Sequence, residues 1–288
     1  MKIRRAEHLG MCFGVRDAIA LAEQRAAEVP ITILGELVHN ETVLTGLREA
    51  GIRLETDLDR VRTQSVLITA HGMSDKSISR VRERGLDVHE ATCPLVHHAH
   101  QSLKKLVSQG FHPVVIGQRN HVEVRGLIED FAECDLVLSE DDIQSMASRP
   151  RLGVISQTTQ PIVRVRQLVE VIRRRFPDSE VRFIDTVCQP TKQRQAAAAE
   201  LGKASDVVVV IGGAHSNNTR ELVATCRAFC VRVHHIQTVD DLDQSWFGPG
   251  DTVGVTAGTS TPDSVIEEVV RALERIAARE EVMAAAAR

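Results

Sequence analysis

A cysteine recurs three times in the same setting: Gly10-Met11-Cys12-Phe13-Gly14-Val15, Ala91-Thr92-Cys93-Pro94-Leu95-Val96 and Thr186-Val187-Cys188-Gln189-Pro190. Each follows an apolar, strand-like run and precedes a stretch with helical periodicity. The intervals are 81 and 95 residues, room for one small α/β unit each. The recurrence predicts three copies of one unit, each delivering one thiolate to a shared centre.

Two further loops repeat in register with the cysteines. A strand–Gly–His loop occurs as Gly35…His39-Asn40, Gly117…His121 and Gly212-Gly213-Ala214-His215, with Gly35, Gly117 and Gly212 standing 23, 24 and 24 residues after their cysteines. A second loop recurs as Thr69-Ala70-His71-Gly72, Ser156-Gln157-Thr158-Thr159 and Thr256-Ala257-Gly258-Thr259-Ser260. Agreement of three registers is far more specific than a single cysteine match.

Between these loops, strands and helices alternate. Strands are expected at 2–6, 31–34, 52–54, 65–70 and 87–90, with helices at 15–27, 41–50 and 75–84. The second pass has helices at 95–109, 123–131 and 162–175 and strands at 113–116, 136–138, 152–156 and 181–184. The third has helices at 191–203, 218–229 and 263–279 and strands at 206–211, 231–236 and 252–256, before an alanine-rich end at 280–288 expected to be fraying helix. Such alternation argues for parallel sheets, whose ligands sit beyond the carboxyl ends of the strands.

Copies one and two end in a strand that feeds the next cysteine, whereas copy three ends in a helix. The N-terminal strand before Cys12 is the missing piece. The expected fold class is therefore α/β, with three pseudo-threefold-related small domains, each with a parallel sheet, arranged as a ring around a central metal-cluster site. Its domains would be 13–92, 93–187, and 188–280 joined by the N-terminal strand 1–12.

Composition narrows the function. Aromatic residues make up 3% of the chain, with one Trp and no Tyr, which argues against stacking platforms for single-stranded nucleic acid. The net charge of −4 provides no global attraction to nucleic acid or membrane. Met1-Lys2-Ile3-Arg4-Arg5 is basic without a following apolar region, which argues against a signal peptide, and no apolar run approaches a membrane span. The expectation is a cytoplasmic protein in a reducing compartment. Its six Cys would then be buried, catalytic or metal-bound.

Three convergent thiolates can hold a metal centre with one position open. An iron–sulfur cluster held by three cysteines is one solution, and zinc with three cysteines, in a hydrolase or lyase acting on a phosphorylated substrate, is the other. A non-catalytic iron–sulfur sensor is a third reading, opposed by the acid and hydroxyl beside the site. The repeats supply His39, His71 and His121, several hydroxyls and Asn218. This set is rich in donors and poor in carboxylates, as an anion such as a diphosphate requires. Glu123 is the acid next to that ring, and a buried Glu of raised pKa is a natural proton donor. Cys134, Cys226 and Cys230 lie outside the register and are expected in the core. His97, His98 and His100 are expected on an exposed helix face, and Arg173-Arg174-Arg175 on a solvated one.

At these residues the chain resembles the 4-hydroxy-3-methylbut-2-enyl diphosphate reductase family (LytB/IspH). The strings that carry the resemblance are Cys12-Phe13-Gly14-Val15, Leu37-Val38-His39-Asn40, Ala70-His71-Gly72, Ala91-Thr92-Cys93-Pro94-Leu95-Val96, Gln157-Thr158-Thr159 and Gly254-Val255-Thr256-Ala257-Gly258. The resemblance implies a three-lobed α/β ring around a 4Fe-4S cluster held by Cys12, Cys93 and Cys188, with an open apical iron. It implies that His39, His71, His121, Ser216, Asn218 and Ser260 hold the diphosphate, that Glu123 relays protons and that Thr158 orients substrate. The implied reaction removes an allylic hydroxyl with two electrons and two protons, in a monomer or homodimer supplied by ferredoxin or flavodoxin. Three departures stand out: Asn217 replaces a serine of the family's anion loop, Val122 replaces a proline, and Leu127 stands where a threonine is common. An altered affinity, or a paralogue acting on a related phosphorylated substrate, is the corresponding alternative.

Overall fold

The computed structural model describes residues 1–286, and the side chains of residues 1–279. The first pass contains β1 (Lys2–Arg5), α1 (Phe13–Glu28), β2 (Ile31–Leu34), α2 (Glu41–Glu49), β3 (Arg53–Glu55), β4 (Ser65–Ile68), α3 (Asp75–Glu83) and β5 (Asp87–Glu90). The second contains α4 (Pro94–Ser108), β6 (His112–Ile116), α5 (Val122–Ile128), β7 (Asp135–Val137), α6 (Glu140–Gln144), β8 (Arg151–Ser156), α7 (Ile162–Arg175) and β9 (Glu180–Phe183). The third contains α8 (Gln189–Lys203), β10 (Val207–Ile211), α9 (Asn217–Arg227), β11 (Arg232–Ile236), β12 (Thr252–Ala257) and α10 (Asp263–Ala286). The alanine-rich end thus continues α10 as far as Ala286, and residues 287–288 lie outside the described residues.

Three four-stranded sheets result, ordered β3-β2-β4-β5, β7-β6-β8-β9 and β11-β10-β12-β1, with every pairing parallel. The expected α/β class with three parallel sheets is borne out. β1 takes the fourth place in the third sheet, pairing Lys2 with Thr252 through Arg5 with Val255. The equivalence extends past the strand ends: Ala91, Ile184 and Ala6 donate their N–H groups to the carbonyls of Ile68, Val154 and Val255, respectively.

The central strands are apolar runs because helices cover both of their faces. In β10, Val207, Val209 and Ile211 pack in a core with Val265, Ile266, Val269 and Leu273 of α10. Val208 and Val210 point the other way, into a core with Ala198 and Leu201 of α8 and Leu222 of α9. β8 repeats the arrangement, with Leu152 and Val154 toward α7 and Ile155 toward Leu103 and Leu106 of α4.

Contacts divide the chain into two units: Met1–Cys12, His39–Val43 and Gln189–Arg288 form one, and Phe13–Val38 with Leu44–Cys188 form the other. The first holds the third sheet; the second holds the first two. The segment His39–Val43, expected within residues 13–92, groups with the third sheet.

Other differences from expectation are local. His97 and His98 are exposed, but His100 is buried at 6% exposure, because Val96, Ala99, His100 and Leu103 follow helical spacing onto the inner face of α4. Cys226 and Cys230 are buried, as expected, while Cys134 is half-buried at the edge of its core. Arg173, Arg174 and Arg175 are exposed. Among the described residues, no helix is long and apolar enough to cross a membrane.

Candidate active site

Each unit gathers part of the expected site at the carboxyl ends of its strands. In the unit holding the first two sheets, Cys93 is the N-cap of α4 and donates its N–H to the Ala70 carbonyl at 3.1 Å. His71 is the next residue after Ala70, and its ring meets that of His121 edge-on at 5.5 Å between centroids. His121 is the N-cap of α5, and its Nδ1 accepts the Glu123 N–H at 3.2 Å. The neutral ring therefore carries its proton on Nε2, where it can donate to an anion.

Glu123 is 1% exposed. One carboxyl oxygen accepts the Thr158 N–H at 2.7 Å and the other the Thr158 hydroxyl at 3.0 Å. Burial pushes the Glu123 carboxyl up to about 7, against the opposing pull of those two bonds. A proton is thus exchangeable there at neutral pH. The Thr158 carbonyl in turn accepts the Cys188 N–H at 3.0 Å. An unbroken line of neighbours runs from Cys93 through His71, His121, Glu123 and Thr158 to Cys188.

The spacing of this line is reinforced from behind. Asp130, just past α5, accepts the N–H groups of Asp75 and Lys76 at the start of α3, both at 3.0 Å. The Glu129 carboxylate accepts the Ser77 hydroxyl at 2.8 Å and also bonds Ser74 and Arg80. At Gly126 a Cβ would lie 3.5 Å from the Met73 Cα, so α5 packs directly on the loop after His71. Gln157, fully buried, accepts the Gln118 N–H and donates to the Thr159 hydroxyl. It thereby joins the loop of His121 to that of Thr158.

The other unit holds the remaining expected residues. Cys12 donates its N–H to the Thr259 carbonyl at 3.0 Å, the counterpart of the Cys93 and Cys188 bonds. All three cysteines thus hang by the same backbone bond from the loop after the third strand of their sheet. Ser216 caps α9, its hydroxyl accepting the Thr219 N–H. Asn217 and Asn218 follow in the first turn, both 2% exposed. Asn218 Oδ1 accepts the Thr259 N–H at 3.0 Å, while its Nδ2 is buried with no hydrogen-bond partner among the described residues. A buried donor without an acceptor at a helix N-terminus is suited to an anion. His39 and Ser260 meet here: the Ser260 hydroxyl lies 3.5 Å from the His39 carbonyl. A Cβ on Gly213 would fall 2.2 Å from that carbonyl oxygen, so only glycine permits the approach.

The cysteines separate by environment. Burial pushes the Cys134 and Cys226 thiols up to about 12, which keeps them protonated and unsuited to ligation. Cys12, Cys93 and Cys188 are half-buried, and each immediately precedes a helix. A Cβ on Gly14 would stand 2.5 Å from Cys93 Sγ, so the first turn of α1 forms a backbone cradle against that sulfur. Soft sulfur donors, one of them against a backbone cradle, fit an iron–sulfur cluster.

A sequence profile described as LytB protein matches residues 3–274. The chain belongs to the LytB family. A relative from Trichlorobacter lovleyi, named 4-hydroxy-3-methylbut-2-enyl diphosphate reductase, is 36% identical over 278 residues, covering 96% of this chain and 99% of its own. One of the same name from Pelobacter propionicus is 35% identical over 272 residues, covering 94% and 96%. The solved structure of E-1-hydroxy-2-methyl-but-2-enyl-4-diphosphate reductase from Plasmodium falciparum matches with a TM-score of 0.89 at 26% identity, covering 94% of this chain and 87% of that one. The resemblance drawn from the sequence strings therefore holds over nearly the whole LytB chain.

Sequence reasoning did not single out four residues that hold this LytB site together. Gly14, Gln157, Thr259 and Asp130 act through close approach or hydrogen bonds to segments distant in the chain. Gln157 and Gly14 did lie inside the strings that carried the resemblance.

Proposed function

We propose that this chain is a 4-hydroxy-3-methylbut-2-enyl diphosphate reductase. It would catalyse the last step of the methylerythritol phosphate route to isoprenoids. Two electrons and two protons enter, the allylic C–O bond breaks, the hydroxyl oxygen leaves as water, and isopentenyl or dimethylallyl diphosphate remains. The observation that carries the reading is Glu123: a sealed carboxyl near neutral pKa, bonded to Thr158, whose carbonyl holds the Cys188 amide.

A 4Fe-4S cluster on Cys12, Cys93 and Cys188, with an open apical iron, would supply electrons one at a time and a Lewis-acid position for the hydroxyl. The remaining work falls to side chains. His39, His71, His121, Ser216, Asn217, Asn218 and Ser260 bind the diphosphate; the orphaned Asn218 amide and the Nε2 proton of His121 are donors ready for it. Thr158 orients the allylic hydroxyl through its own hydroxyl, and Glu123 delivers the proton that lets oxygen leave as water. Ferredoxin or flavodoxin is the proposed electron donor to a cytoplasmic monomer or homodimer.

The test is anaerobic purification, iron and sulfide analysis, and turnover of the allylic diphosphate with dithionite as reductant. The expected protein is brown, holds about four irons by its cluster type and releases both products. A colourless protein with stoichiometric zinc would overturn the reading. A loaded protein that leaves this substrate untouched but reduces a related allylic phosphate would confine the error to the anion pocket and Asn217.

A further inference from the structure

Thr92, Val96 and His100 recur every fourth residue, the first just ahead of α4 and the others within it, a spacing that stacks side chains on one helix face. All three close on one residue: a Cβ on Gly72 would lie 3.1 Å from Thr92 Cγ2, 3.2 Å from Val96 Cγ1 and 3.4 Å from His100 Nε2. Gly72 takes a left-handed φ of 75°, which glycine adopts without strain. Its N–H donates to the Thr69 carbonyl at 3.0 Å, closing a turn whose third residue is His71. Helix α5 presses on the same turn from another side, where a Cβ on Gly126 would lie 3.6 Å from the Gly72 carbonyl oxygen. The turn is thus clamped between the α4 stripe and α5. The thickness of this sandwich sets the distance between the ring of His71 and that of His121 at the start of α5, 5.5 Å between centroids.

His100 is the member of the stripe that core packing does not account for. It is 6% exposed, and its Nε2 is buried with no hydrogen-bond partner among the described residues. Burial, assisted by the charges of Lys104 and His97, pushes the ring down to about 4 against the opposing pull of Asp130 and Asp75, so the ring is neutral at neutral pH. A buried nitrogen left unpaired costs stability that an apolar side chain would not. Thr92 and His100 also line a cavity of about 340 Å³ between α3 and α4, together with His97, Gln101 and Lys104. The His100 ring is therefore a partition, with the turn of His71 on one side and this cavity on the other. Truncating it gives the turn space to relax toward the cavity, without opening a sealed void in the core.

We propose that His100 is a positioning residue for His71: bearing on Gly72, its ring fixes the separation of the His71 and His121 rings and thereby the affinity for the diphosphate. The proposal rests on the reading of His71 and His121 as diphosphate donors. It predicts different behaviour for two substitutions. His100→Ala removes the partition; His100→Gln keeps a side chain that reaches the Nε2 position. Neither touches the bonds between Glu123 and Thr158, so the proton-delivering step is left in place.

Full-length, anaerobically loaded proteins are compared by steady-state kinetics on the allylic diphosphate and by calorimetric titration with inorganic pyrophosphate. His100→Ala should raise KM and the pyrophosphate Kd about tenfold, the scale of one hydrogen bond to a charged group. Its kcat should stay within about twofold, the pattern of lost binding rather than lost chemistry. His100→Gln should keep both constants within about threefold of wild type. A purely structural role instead loses folded protein, which lowers Tm and apparent kcat and leaves KM and Kd unmoved; that result overturns the proposal. So does a His100→Gln protein as weak in binding as His100→Ala. If His100→Ala does not fold, the shorter His100→Asn is compared with His100→Gln, and equal constants in that pair overturn it. If the wild-type protein binds no pyrophosphate, the reading of the diphosphate donors has failed. Hydrogen exchange of the Gly72 amide then tests the positioning alone, where protection unchanged in His100→Ala overturns it.

Discussion

At Glu123, burial and bonding compete at a single carboxyl group, and burial wins. The group ordinarily titrates at 4.5 and is pushed to about 7. Between those values the folded chain keeps a proton that the unfolded chain has released, so its contribution to stability is full below about pH 4.5 and falls as pH rises through 7. The shift corresponds to about 3 kcal/mol at most. Glu123→Gln should flatten this fall: in urea unfolding of the metal-free protein from pH 5 to 8, the variant gains on the wild type as pH rises. The same substitution in loaded enzyme should lower turnover about 10²–10⁴-fold with KM little changed, as steady-state kinetics would show. Asn217, buried in the first turn of α9, is a binding residue under the proposed function. Asn217→Ser should lower KM about tenfold, the scale of one hydrogen bond to a charged group. From sequence, Glu123 is indistinguishable from an acid placed at a helix start by the dipole; its burial is not legible without the fold.

The elements around the site repeat one device: a helix that begins at a cysteine whose amide is tied to the preceding loop. Cys12 bonds to Thr259, Cys93 to Ala70 and Cys188 to Thr158. This equivalence was legible, because three loop registers recur in the sequence at near-constant offsets. The approach of neighbouring helices was not. The first turn of α1 lies so close to Cys93 that a Cβ on Gly14 would stand 2.5 Å from the sulfur. Gly14→Ala should therefore reduce iron content per chain severalfold while leaving the far-UV circular dichroism intact, since Gly14 carries no core side chain. Iron analysis alongside the spectrum separates loss of the cradle from loss of the fold.

For the whole molecule, the question is how a metal centre couples to folding. Cys12 belongs to one contact unit, and Cys93 and Cys188 belong to the other. Each unit has its own apolar cores, and these do not depend on metal. Stripping the iron with a chelator under air should thus abolish turnover and lower Tm, through loss of native-state binding, while circular dichroism at 25 °C stays near that of the loaded protein. Calorimetry on loaded and stripped samples checks both parts. The sequence by itself determined the three-copy plan, the parallel sheets and the completing role of the N-terminal strand, because periodicity and repeat register are written along the chain. Only the tertiary structure decided the sealing of Glu123, the inward turn of His100, the grouping of His39–Val43 with the third sheet and the orphaned amide of Asn218. Each of these depends on burial or on bonds between residues far apart in sequence, and neither leaves a local pattern to read.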